Sequence, residues 1–242
     1  MLNRDRLIVA LDVASAREAR QVVQTIGDAA TTYKVGKQLF TAEGPQIVRD
    51  LVSSGRKVFL DLKFHDIPNT VAAAVTEAAK LGVSMLTVHA SGGGGMLRAA
   101  AQAAVQSSAK PMVLAVTVLT SLSDADMMQL GIAGQVIHHV VRLAVLARDA
   151  ECGGVVASAL EARELRREFG SEFNIVTPGV RPAGTATGDQ ARVLTPKEAI
   201  AAGANYLVVG RPILQAADPS RAASEIVREI EEAELAVATV RP

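Results

Sequence analysis

The sequence predicts a closed (β/α)8 TIM barrel, and three observations carry that prediction. Short runs rich in β-branched residues alternate with helix-period segments along the whole chain. The runs are almost continuously apolar, as strands of a parallel sheet covered by helices are. Eight such pairs fill 242 residues with no linker between them, which fits one domain over 1–242 better than an open doubly wound sheet.

RLIVALD (6–12) gives the first strand, and a helix follows near 15–27. TYKVG (32–36) is the second, followed by a helix over 43–54. KVFLDLK, from residue 57, is the third, with a helix over about 68–82, and SMLTVHA (84–90) is the fourth, with a helix over about 94–107. PMVLAVTVL (111–119) precedes a long helical pattern reaching about 152, and GGVVAS (153–158) precedes a helix at 159–169. FNIVT (173–177) and NYLVVG (205–210) complete the set, with helices at 195–203 and 219–235 and a frayed C-terminal end. Between the seventh strand and its helix lies PGVRPAGTATGDQARVL (178–194), whose Gly, Pro and Thr content reads as a loop. Loops of that length inside compact domains are usually functional.

Composition narrows the function classes. Residues are 49% hydrophobic and 21% charged, which describes a globular chain with a sizeable core. Lys plus Arg and Asp plus Glu are 25 each, so no net field attracts nucleic acid or a membrane surface. The single cysteine, Cys152, has no internal disulfide partner, and the N-terminal MLNRDRLIVALD has neither the apolar run nor the cleavage pattern of a signal peptide. The expected compartment is the cytoplasm. No apolar run approaches the roughly 18 residues of a membrane span.

The chemistry gathers around KVFLDLKFHDIPNT (57–70). Alternation puts Val58, Leu60 and Leu62 on one side of the strand and Phe59, Asp61 and Lys63 on the other. Asp66 and the helix start at Pro68 follow. A lone D-x-K is more simply a structural ion pair, but in such barrels chemistry sits at the C-terminal ends of the strands. Polar residues collect there in this chain: Asp12, Lys34, Asp61, Lys63, His89, Thr120, Ser121, Arg181 and Arg211.

DLKFHDIPNT, the Y-K-V-G of the second strand, TVLTS, VTPGVRP with GDQ-x-R, and VVGRPI resemble, in order and spacing, bacterial orotidine 5′-phosphate decarboxylases over about residues 6–220. The D-x-K-x-x-D core is shared by a wider group of phosphosugar decarboxylases and aldolases, whereas the whole set is specific. The resemblance implies a cofactor-free lyase that converts orotidine 5′-phosphate to UMP and CO2 through a ring carbanion. It implies that Lys34, Asp61, Lys63 and an Asp66 given by a second subunit form an alternating-charge array, with Lys63 donating the proton. Alternation keeps every member ionised. Asp61 would press on the substrate carboxylate, a ground-state effect. By the same resemblance Arg181, Gln190, Gly210 and Arg211 hold the phosphate, the loop from Gly179 to Gln190 closes over it, Thr120 and Ser121 meet the pyrimidine, and Asp12, Lys34 and Thr70 meet the ribose. The partners implied are the small-molecule substrate and a second copy of the chain in a homodimer with shared sites; neither nucleic acid nor membrane is expected.

Other features read as structural. Thr120 and Ser121 also suit a helix cap. His89 suits a satisfied core histidine, the glycine run at 92–95 lacks the lysine and spacing of a phosphate loop, and His138 and His139 are adjacent on a helix and so do not share one ligand site. No metal-ligand set is apparent. Two alternatives stand beside the decarboxylase: a magnesium-dependent phosphosugar decarboxylase or aldolase, which needs an acidic ligand where this chain has Lys34, and a non-catalytic nucleotide-binding barrel, which has no use for Asp61, Lys63 and Asp66 together.

Overall fold

The computed structural model describes residues 2–182 and 194–240. Among them, eight parallel strands pair in chain order and the eighth closes on the first. They are β1 Leu7–Ala10, β2 Thr32–Gly36, β3 Lys57–Phe64, β4 Met85–His89, β5 Met112–Val116, β6 Gly154–Val156, β7 Asn174–Pro178 and β8 Tyr206–Val209. Each lies within, or one residue beyond, the run that the sequence marks for it. The barrel expectation is met.

The helices differ more from the sequence reading, and glycine explains the differences. After α1 (Ala16–Ile26), the region read as 43–54 holds α3 (Gln46–Ser53), and a further helix, α2 (Lys37–Glu43), precedes it. Gly44, at φ 65°, and Pro45 end one and begin the next. After α4 (Pro68–Lys80) and α5 (Gly93–Gln106), the long pattern before 152 divides into α6 (Asp124–Gln129) and α7 (Val136–Asp149). Gly131 and Gly134, at φ 76° and 98°, hold the turn that separates them. α8 (Ala159–Phe169), α9 (Pro196–Ala201), α10 (Arg211–Leu214) and α11 (Pro219–Val240) complete the ring, and α11 runs past the expected end at 235. Ser123, Ser158 and Thr195 start α6, α8 and α9 with reciprocal capping boxes.

Two apolar regions hold the barrel. The larger lies between strands and helices and takes the outward strand positions, such as Val58, Leu60, Leu86 and Ile175, against helix stripes such as Ala19, Val23 and Ile26 of α1. The smaller fills the barrel interior with Ile8, Ala10, Phe59, Met85, Leu114, Val176, Tyr206 and Val208. Phe59 is 1% exposed, and truncating a buried Phe to Ala costs about 3–5 kcal/mol. The interior is therefore a plug, and the inward residues nearer the strands' C-terminal ends sit on top of it. None of the described helices is long and apolar enough to cross a membrane.

Candidate active site

Above the apolar plug the inward positions become polar. In β2 Thr32 is followed inward by Lys34, in β3 Phe59 by Asp61, and in β4 Met85 by Thr87, because alternate residues of a strand share a face. The Lys34 ammonium lies 3.1 Å from Asp12 Oδ1 and 3.6 Å from Asp61 Oδ2. The Lys63 ammonium donates to Asp61 Oδ1 at 2.7 Å. Asp12, Lys34, Asp61 and Lys63 thus form one alternating string across the ends of β1, β2 and β3.

Strict alternation does not by itself produce this string. Phe59 and Leu60 pair with Met85 and Leu86, but pairing resumes only at Phe64 opposite Val88. Asp61, Leu62 and Lys63 therefore occupy a bulge faced by Thr87 alone, and Lys63 adopts φ 54°, a left-handed conformation costing a non-glycine residue about 1–2 kcal/mol. Thr87 is fully buried; its hydroxyl donates to Asp61 Oδ1 at 3.0 Å and accepts the Lys63 backbone N–H at 2.9 Å.

Glycines make room at two points. A Cβ on Gly36 would stand 2.9 Å from the Lys34 ammonium, so a side chain at residue 36 would crowd the lysine where it reaches both acids. A Cβ on Gly210 would stand 3.4 Å from Asp12 Oδ2 and from the Ala10 Cβ, so the end of β8 passes close to the end of β1.

The electrostatics follow from burial and neighbours. Burial acts to raise the Asp61 carboxyl, but Lys34 and Lys63, together with hydrogen bonds from Lys63 and Thr87, outweigh it and hold the group below the usual carboxylate range. At an effective dielectric near 20, a unit charge 3.6 Å away contributes about 4–5 kcal/mol before desolvation is counted. Asp61 is therefore an anion at neutral pH, flanked by two cations. His89 stacks obliquely on His65, ring centres 5.4 Å apart. Burial first, then the fields of His65, Lys63 and Lys37, push the His89 imidazole below its ordinary value, which suits a neutral ring at the site's edge.

Lys34, Asp61, Lys63 and Thr120 line a cavity of about 180 Å³ above Phe59 and Val208. A larger cleft of about 590 Å³ lies at the opposite end of the barrel, beside Arg6, Arg166 and Gly203. Two of its arginines are occupied structurally: Arg166 donates to the carbonyls of Gly203 and Phe173 and to Asn205, and Arg6 to the Asn205 carbonyl and to Glu234. The alternating charges Lys34, Asp61 and Lys63 line the smaller cavity.

The remaining expected residues are not among those lining it. Ser121 and Thr70 are exposed, Thr70 in the first turn of α4. Asp66 is exposed too; its carboxylate accepts the Ile67 N–H at 2.6 Å and pairs with no cation among the described residues. Arg181 is 7% exposed, its Nη1 donating to the Val180 carbonyl, and its backbone N–H meets the Leu194 carbonyl at 3.1 Å. Arg211 begins α10 and is exposed. Gln190, with residues 183–193, lies outside the described residues. Among the described residues no group of three or more His, Cys, Asp or Glu side chains is gathered to hold a metal ion. Sequence reasoning missed Thr87 and Gly36. Thr87 had a faint signal, a polar residue at an inward position of an otherwise apolar strand, but its partner depends on the bulge.

The family model described as "Orotidine 5'-phosphate decarboxylase / HUMPS family" matches residues 5–226. A protein of Idiomarina loihiensis named orotidine 5'-phosphate decarboxylase is 52% identical over 227 residues, covering 94% of this chain and 98% of that one. One of the same name from Sodalis glossinidius is 51% identical, covering 93% and 90%. The crystal structure of orotidine 5'-phosphate decarboxylase from Lactobacillus acidophilus superposes with a TM-score of 0.83 at 38% identity, covering 93% of this chain and 99% of that one.

Proposed function

The chain belongs to the orotidine 5′-phosphate decarboxylase / HUMPS family, and from that premise we propose that it converts orotidine 5′-phosphate to UMP and CO2 in pyrimidine biosynthesis. The observation that carries the reading is the string Asp12, Lys34, Asp61, Lys63, of which the last three line a small cavity. In the reaction the bond from the ring carbon to the carboxylate breaks, CO2 departs, and the electron pair stays on the carbon. The carbanion then takes a proton from the Lys63 ammonium, whose charge is already in position when the negative charge develops. Asp61, held as an anion by its two lysines, crowds the substrate carboxylate, and Lys34 balances Asp61 from the other side.

Lys34 also favours this reaction over the magnesium-dependent phosphosugar decarboxylase or aldolase. An ammonium between Asp12 and Asp61 neutralises both carboxylates and repels a divalent cation. The rest of the substrate is bound by residues around the mouth: Thr120 and Ser121 toward the pyrimidine, Asp12, Lys34 and Thr70 toward the ribose, and Arg181, Gln190, Gly210 and Arg211 toward the phosphate. The working unit is a cytoplasmic homodimer in which Asp66 serves the partner's site; its exposure, and the fact that no cation among the described residues pairs with it, support that role.

The test is loss of ultraviolet absorbance when the purified protein is incubated with orotidine 5′-phosphate, without and with a chelator. Equal turnover in both is expected. Activity lost to the chelator and recovered with magnesium would overturn the cofactor-free reading, and no turnover in either would overturn the decarboxylase itself.

A further inference from the structure

We infer that Thr87 is a positioning residue for this reaction, its hydroxyl pinning the bulge of β3 so that Asp61 and Lys63 point into the cavity together. The inference rests on the decarboxylase reading above.

Hydrogen-bond chemistry fixes the direction of each contact. A backbone N–H only donates, so toward Lys63 N, at 2.9 Å, the Thr87 hydroxyl must accept. Its single hydrogen is then free for Asp61 Oδ1 at 3.0 Å, an acceptor that also takes the Lys63 ammonium at 2.7 Å. Oδ1 is thereby committed to Thr87 and Lys63, which leaves Oδ2 toward Lys34 at 3.6 Å. One buried hydroxyl sets the rotation of the carboxylate and, through the backbone, the origin of the lysine side chain.

The bulge creates the need. Thr87 is the residue of β4 between Leu86 and Val88, opposite Asp61, Leu62 and Lys63, where the regular ladder is broken. In that gap the Lys63 N–H takes the Thr87 side chain as its acceptor. Lys63 also holds φ 54°, a conformation that persists only where its surroundings enforce it. Thr87 is itself held firmly: it pairs with Leu114 of β5 and is 0% exposed.

Thr87→Val preserves shape and removes the hydroxyl; Thr87→Ser preserves the hydroxyl. In the valine variant kcat should fall about a hundredfold, the scale of a misplaced catalytic group, with KM and inhibition by the product UMP nearly unchanged. The serine variant should recover most of the loss. Amide hydrogen exchange supplies a readout independent of turnover: the Lys63 N–H should be protected in wild type and serine proteins and exchange faster with valine, while amides of β6 and β7 stay unchanged. Wild-type kcat in Thr87→Val, equal impairment of both variants, or a change in KM alone would overturn the inference. If the valine protein does not fold, a serine variant with a large kcat defect overturns it and a near-wild-type one supports it. A wild type inactive on orotidine 5′-phosphate would strike the functional reading instead, and the Lys63 exchange pattern would still decide for or against the pin.

Discussion

Lys63→Ala is the most direct perturbation of the proposed chemistry. The Lys63 ammonium lies 2.7 Å from Asp61 Oδ1 on the cavity wall, beside the carboxylate that the proposed reaction sets against the leaving CO2 group. At an effective dielectric near 20, a unit charge at about 3 Å from the nascent carbanion is worth about 5 kcal/mol, or about 10⁴ in rate. Loss of the proton donor adds to this, since positioned general acids contribute about 10²–10⁴. We therefore expect kcat to fall by at least about 10⁴. The fold should survive: the side chain is 24% exposed, fills no core, and leaves Asp61 with Lys34 and Thr87. The stability cost is bounded by one charge-assisted hydrogen bond, about 1.5–3 kcal/mol. The assay is loss of substrate absorbance under single-turnover conditions, with a thermal melt on the same preparation. A folded variant with kcat within about tenfold of wild type would refute both the charge argument and the proton assignment.

Three further outcomes are expected. Arg211→Ala should raise KM and lower kcat/KM by about 10–150-fold from the direct phosphate contact alone, and unchanged kinetics would remove Arg211 from the phosphate site. Asp66→Asn and Lys63→Ala proteins, each nearly inactive, should regain activity when mixed with subunit exchange; half of the dimers are mixed and half of their sites carry neither lesion, so about a quarter of all sites are intact. Exchange demonstrated without recovery would assign Asp66 to its own subunit. Asp61 has a lowered carboxyl pKa in the folded state, so the native protein binds fewer protons than the unfolded chain just below the unfolded value of about 3.9. Its contribution to stability is complete above that value and is lost as pH falls through the lower folded one. Thermal melts across that acid range should accordingly show a shallower loss for Asp61→Asn than for wild type; parallel losses would contradict the electrostatic account.

The sequence by itself determined the barrel and the polar residues at the C-terminal ends of its strands. A strand's apolar content and a helix's stripe are local, periodic properties, so each of β1 through β8 could be placed within its run or one residue beyond it. Asp61 and Lys63 could be read as a pair because spacing along one strand is also local. Helix limits were less legible where glycines chose the turn, as at Gly44 and between Gly131 and Gly134. What only the tertiary structure decided is how the charges meet. That Lys34 meets both Asp12 and Asp61 uses the open space at Gly36, and the two carboxylates come from outside β2, one just past β1 and one in β3. That Lys63 returns to Asp61 depends on a bulge measured against β4, and the group that satisfies the bulge, Thr87, is 24 residues further along the chain. Registers between strands are set by packing all eight around one interior, a condition that no single stretch of sequence contains.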